Sequence, residues 1–144
     1  GAGAGWVVRA GANSWMATMA ASGTDGTLMV PCYGLKEGDV IVGYHLVGQI
    51  DSAGNAATLD ASIYEGLPVT AGSTHTQKGG TVMTTLSVTA DTPVTDLNAV
   101  KNFDSSKYVT VSRNANYFVW VEGTTASTTD IELLGVVLYV KPAR

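Results

Sequence analysis

The chain has 144 residues, of which 45% are hydrophobic and only 14% are charged, and its formal net charge is −4 at pH 7. This length fits a single domain with one core. Its eight basic residues are scattered, and without the clustered Lys and Arg that bind phosphate we expect no nucleic-acid partner. No apolar stretch approaches the roughly 20 residues of a membrane-spanning helix, so we expect no membrane insertion.

The chain opens with the low-complexity segment GAGAG, without an initiator Met. We interpret residues 1–5 as a flexible lead or linker, and we expect a processed product, a fragment or a linker scar. A single domain is then predicted over residues 6–144.

Apolar and polar residues alternate along most of the remaining chain, and this two-residue period is typical of β-strands. Clusters of Gly, Ser, Asn and Asp separate the alternating segments, as turns require. In chain order, the predicted strands are 15–19, 28–32, 40–50, 57–64, 81–90, 108–112, 117–122 and 131–140. Residues 66–80 and 91–104 are predicted to be connections. About eight strands with polar turns predict an all-β fold, an antiparallel two-sheet sandwich of jelly-roll type.

Two predicted strands near the C-terminus are apolar on both faces. One face of a sandwich strand packs on the opposite sheet, so the other face requires separate cover. We therefore predict a homo-oligomer, with a trimer around a three-fold axis as the expected form. The predicted interface residues are Phe118, Trp120, Leu134, Val136 and Leu138.

Residues that could carry chemistry are sparse. His45 and His75 do not have the spacing of metal ligands, and the nucleophile motif GxSxG is absent. The single cysteine, Cys32, excludes an intrachain disulfide and is predicted to be a buried, inert thiol. Acids such as Glu65 are expected at exposed strand ends. We therefore predict no catalytic residue, no metal ligand and no cofactor, and hence not an enzyme.

Aromatic side chains offer one alternative role. An exposed flat ring can cover the apolar face of a sugar while nearby polar groups bind its hydroxyls. The candidate ligand contacts are Trp6, Tyr64 and Tyr108. This alternative predicts a carbohydrate-binding module.

The segments LKEGDVIVGYHLVGQIDSAGNAATLDASIYEG, TVMTTLSVTADT and YFVWVEGTTASTTDIELLGVVLYV resemble the small β-sandwich domains of tailed-phage virion proteins. These include capsid decoration proteins, head fibres and terminal domains of tail fibres. The resemblance implies a trimeric jelly roll that clamps capsid subunits or presents a surface to a host glycan, with capsid or tail proteins as partners. It implies a location on the virion surface; for a chain that is not viral, a secreted or extracellular location is expected. No functional residue is carried over.

Overall fold

The computed structural model describes residues 6–11, 14–19, 26–52, 57–67, 74–78, 84–88, 94–125 and 129–144. Within these ranges the chain forms eleven strands and one short 3-10 helix, Ser105–Lys107. The strands are β1 (Trp6–Gly11), β2 (Ser14–Met19), β3 (Gly26–Cys32), β4 (Val40–Ser52), β5 (Ala57–Leu67), β6 (Thr74–Lys78), β7 (Thr84–Val88), β8 (Val94–Asn102), β9 (Val109–Thr110), β10 (Asn116–Thr125) and β11 (Thr129–Lys141). No helix in the described part of the chain is long and apolar enough to cross a membrane.

The strands form two antiparallel sheets, which confirms the predicted all-β sandwich. The first sheet has the order β1-β2-β11-β4-β8, with β9 also paired to β4. The second sheet has the order β3-β10-β5-β6, with β7 also paired to β5. From β2 to β5 successive strands alternate between the sheets, and β10 and β11 do so again. This connectivity is that of a jelly roll.

The eleven strands fill about eight jelly-roll strand positions, because two of these positions are each filled by two shorter strands. β6 and β7 lie in tandem along one edge of β5, and β8 and β9 lie in tandem along one edge of β4. Each tandem pair therefore acts as one jelly-roll strand with an insertion. β1 is an additional strand at the edge of the first sheet, beside β2.

Three strands lie where the sequence predicted none. β6 falls inside the predicted connection 66–80, β8 falls inside the predicted connection 91–104, and β1 precedes the first predicted strand. The segment THTQK of β6 is polar throughout, so it has no apolar alternation to recognise. Its place in the sheet comes from backbone pairing with β5, which side-chain patterning does not report.

The core lies between the sheets, where every second side chain of each sheet points inward. The largest completely buried side chains are Tyr44, Met19, Ile41, Leu46, Leu59, Ile63, Ile131, Val119 and Val121. Each large aliphatic side chain buried in this way contributes about 1.5–3 kcal/mol to folding. Polar bonds also join the two sheets; in one of them the Tyr44 hydroxyl donates to the carbonyl of Ala61 at 2.9 Å.

The C-terminal segment is tied to the turn that precedes β4. The Asp39 carboxylate accepts hydrogen bonds at 2.9 Å from the backbone N–H groups of Ala143 and Lys36. These two hydrogen bonds hold the pKa of Asp39 below its ordinary value, and the bond from Ala143 has the larger effect. Gly38 suits this turn because its φ of +86° is a backbone conformation that other residues rarely adopt. A Cβ at this position would also lie only 3.1 Å from the Cβ of Ala143.

Candidate functional site

The strand that was predicted to be apolar on both faces, β11, contains a β-bulge. Leu133 pairs with Gly48 of β4, and Gly135 pairs with Val47, the residue that precedes Gly48 in the chain. Leu134 is therefore the extra residue of the bulge. A bulge reverses the alternation of side chains beyond it. The bulge therefore decides which residues of β11 point outward.

The bulge corrects the predicted grouping of three interface residues. Leu134 points outward and is 52% exposed, whereas Val136 and Leu138 pack against the core. Uninterrupted alternation would place Val137 on the face opposite to Leu134, but Val137 also points outward and is 47% exposed. The extra residue at Leu134 causes this change, because it shifts every later side chain to the other face.

We define the first outer face as the solvent side of the first sheet. Its exposed apolar side chains are Leu134, Val137 and Val7, the last of which is 56% exposed on β1. Val137 lies opposite His45 of β4, and Val7 lies opposite Thr18 of β2. Among the described residues, the first outer face thus carries exposed apolar side chains on β1 and β11, with Thr18 of β2 and Glu132 of β11 in line with Val7 in the register.

Two polar atoms on the first outer face are buried and lack a hydrogen-bond partner among the described residues. They are Oγ1 of Thr18 and Nε2 of His45. Both residues point outward by alternation, since Ala17, Met19 and Tyr44 beside them belong to the core. A buried polar atom without a partner costs about 1–3 kcal/mol of folding free energy. Because the chain itself encloses both atoms, a second molecule on this face would not contact them.

The solvent side of the second sheet carries an aromatic cluster, which we define as Tyr64, Phe118 and Trp120. Phe118 of β10 pairs directly with Tyr64 of β5. Their ring centroids lie 5.6 Å apart with an angle of 10° between the planes, and the Trp120 ring lies 5.6 Å from Tyr64 at 42°. Phe118 is buried by its neighbours, whereas Tyr64 and Trp120 stay half-exposed.

This cluster unites residues whose predicted roles were different. Tyr64 was predicted to contact a ligand, and Phe118 and Trp120 were predicted to form an oligomer interface. The register of β10 against β5 brings them together. Part of the outer cover predicted for 117–122 therefore comes from Tyr64 of the same chain, as cross-strand aromatic pairs commonly provide.

Polar side chains border the aromatic cluster on the same face. Ser62 lies opposite Trp120, and one pair further along Asp60 lies opposite Glu122. Ser62 is buried, and Oδ1 of Asp60 is a buried atom without a hydrogen-bond partner in the described part of the chain. The cluster thus has an acidic border that includes one unpaired oxygen.

The other two predicted ligand contacts lie elsewhere. Trp6 is only 5% exposed, and its indole N–H donates to the carbonyl of Gly26 at 2.8 Å. The ring packs over Gly123, so the expectation of an exposed Trp6 is corrected: Trp6 is a core residue that joins β1 to β3. Tyr108 is exposed beside β9 of the first sheet, and Nζ of Lys141 lies 4.9 Å from the centroid of its ring.

Glu65, predicted to be an exposed strand-end acid, is buried instead. Nζ of Lys78 lies 3.1 Å from its Oε1, and the Tyr117 hydroxyl donates to its Oε2. The Tyr117 oxygen also accepts a hydrogen bond from the backbone N–H of Ser112 at 2.9 Å. Burial pushes the pKa of Glu65 upward, but the hydrogen bonds from Tyr117 and Lys78 outweigh it and hold the pKa below its ordinary value. The group is therefore a structural ion pair at the edge of the core, with Glu65 buried and Lys78 partly exposed.

Cys32 is half-buried and lines a cleft of about 430 Å³ between β3 and β11, together with Val136 and Leu138. Burial raises the pKa of its thiol to about 11. The described residues contain no group of three or more His, Cys, Asp or Glu side chains that could hold a metal ion.

We expect Cys32 to react slowly with iodoacetamide at pH 8. The thiolate is the reacting form, and a pKa raised by about two from its ordinary value lowers the thiolate fraction about a hundredfold. Mass spectrometry of the alkylated chain, with and without urea, measures this effect. Equal rates in the folded and unfolded chain would contradict the burial of the thiol.

Comparisons with protein-family models, with curated proteins and with solved structures found no match to this chain. The functional inference therefore depends on the two outer faces of the sandwich.

Proposed function

We propose that this chain is a structural domain of a virion surface, a capsid decoration or fibre domain that acts through oligomeric contacts of its β-sandwich. The observation that carries the oligomeric part is the open first outer face. The virion part is supported by the resemblance of its three long segments to phage virion domains, and by a jelly-roll fold of the kind that this resemblance implied.

The energetics of the first outer face favour cover by a second copy. Leu134 and Val137 project outward from β11 at and beyond its bulge, where β11 is paired with β4, and both side chains stay exposed. Burial of such side chains at an interface is favourable by about 25 cal/mol for each Å² removed from water. We propose a homo-oligomer on this face, with a trimer as the expected state.

Replacing Leu134 with lysine is expected to dissociate this oligomer, because a charged group would be buried without a partner at its centre. We expect the dissociation constant to rise at least about a hundredfold, as measured by light scattering after size-exclusion chromatography. Thr58→Lys is the matched control, since it adds the same charge at an exposed position on the other sheet. If both variants keep the oligomer of the unmodified chain, the first outer face is not the interface.

The virion part has a separate test. The oligomer is expected to cosediment, at a fixed stoichiometry, with capsids or tails assembled from proteins encoded beside this chain. Failure to bind such particles, or neighbouring genes that encode no virion protein, would contradict the virion role. The oligomer could still form in that case.

A further inference from the structure

We infer that the aromatic cluster of Tyr64, Phe118 and Trp120 is a binding platform for a neutral carbohydrate, with the apolar face of a pyranose ring packed on the half-exposed rings. This inference goes beyond the proposed oligomeric role. It uses the opposite sheet, and it does not depend on whether the first outer face is covered by a second copy.

The first step of the argument is the arrangement of the rings. Three aromatic side chains lie side by side on two adjacent strands, with both centroid distances from Tyr64 equal to 5.6 Å. Because each ring is held by its neighbour and by the rigid pairing of β10 with β5, little conformational entropy is lost when a ligand packs on them. Aromatic side chains of this kind provide a large apolar contact with a polar tip, here the Tyr64 hydroxyl.

The second step is the polar border. Asp60 is half-buried at this border, and a carboxylate accepts hydrogen bonds strongly. Its Oδ1 is enclosed by the chain itself and does not meet a ligand. A sugar hydroxyl is a donor of the right kind for the other carboxylate oxygen, because it can bond there while the ring it belongs to packs beside Trp120.

The third step is charge, which selects among ligands that stack on aromatic rings. Asp60 and Glu122 lie opposite each other on this face, and the whole chain is acidic. Two carboxylates disfavour the phosphates of a nucleic acid and the acidic groups of a sialylated or sulfated glycan. The chemistry of the border therefore fits an uncharged oligosaccharide.

Isothermal titration calorimetry with cellohexaose, xylohexaose, mannohexaose and N-acetylchitohexaose tests the inference on the unmodified full chain. We expect at least one of these neutral oligosaccharides to bind. Trp120→Ala is expected to weaken the binding about tenfold or more, because it removes one of the two half-buried rings on which the sugar packs. Asp60→Asn keeps the size of the side chain but removes the charge of the acceptor, and a several-fold loss is expected.

Tyr33→Ala is the matched control, since it removes a highly exposed aromatic ring that is not part of the cluster, and it is expected to leave the affinity unchanged. Circular dichroism checks that each variant is folded, and Asp60→Asn provides the test if Trp120→Ala does not fold. The inference is overturned if none of the four oligosaccharides binds. It is also overturned if folded variants bind as well as the unmodified chain, or if Trp120→Ala changes only the oligomeric mass, which would make the cluster a protein interface.

Discussion

Replacing Gly48 with alanine is expected to destabilise the folded chain by about 3 kcal/mol or more, or to prevent folding. Gly48 lies on β4 opposite Leu133, at the bulge of β11. A Cβ at this position would lie 2.0 Å from the carbonyl oxygen of Glu132 and 3.0 Å from the Cα of Leu133. Because both neighbours are backbone atoms of a paired strand, no rotamer change relieves the overlap. Urea denaturation followed by circular dichroism measures the effect.

The chain offers a matched control for this substitution at the other side of the same bulge. A Cβ at Gly135 would meet no atom within 4 Å. Gly135→Ala is therefore expected to change the free energy of unfolding by less than about 1 kcal/mol, and the loss of unfolded-state freedom makes a small gain possible. If the two alanine variants unfold at the same urea concentration, the register of β11 against β4 is wrong, and the assignment of Leu134 and Val137 to the first outer face is wrong with it.

Replacing Tyr117 with phenylalanine is expected to lower the free energy of unfolding by about 2 kcal/mol, because it removes a hydrogen bond to a buried carboxylate. The Tyr117 hydroxyl donates to Glu65 and accepts from the N–H of Ser112, so the buried carboxylate and a partly buried N–H group each lose a partner. Tyr33→Phe is the control, since Tyr33 is highly exposed. A Tyr117→Phe variant as stable as this control would show that the hydroxyl contributes nothing to the core.

The same network predicts how stability depends on pH. The pKa of Glu65 is lower in the folded chain than its ordinary value of 4.5, so the folded state binds fewer protons than the unfolded state in this range. Its contribution to stability is therefore present above pH 4.5 and is lost as the pH falls through the lowered pKa. Tyr117→Phe removes one hydrogen bond that lowers the pKa of Glu65, so it is expected to flatten the dependence of stability on pH in this range. Denaturation midpoints measured from pH 6 down to pH 3 would show an unchanged slope if Glu65 were not involved.

The sequence predicted the fold class because the two-residue alternation is a direct consequence of strand geometry. Predicted strands such as 40–50 and 57–64 correspond closely to β4 and β5. The polar strand β6 was missed because it has no such alternation. Its pairing with β5 depends on backbone groups that every sequence possesses. Alternation thus identifies strands whose apolar side chains face the core and overlooks a strand such as β6, whose side chains are polar throughout.

The surfaces could be predicted only in part, because they depend on how strands align. Leu134, Phe118, Trp120 and Tyr64 were all selected from the sequence as surface contacts. The bulge that separates Leu134 from Val136 and the register that joins Tyr64 to Phe118 are properties of strand pairs. The glycine at position 48 is the local signal of the bulge, since glycine within a strand often marks close backbone approach. Nothing comparable in the sequence indicates the aromatic cluster.

Sedimentation equilibrium of the unmodified chain at micromolar concentration tests the central claim most directly, which is that the open face of the first sheet brings copies of this chain together. A mass that is a multiple of 14.9 kDa, with three copies expected, is the predicted result. A single species of 14.9 kDa across the whole concentration range would contradict it.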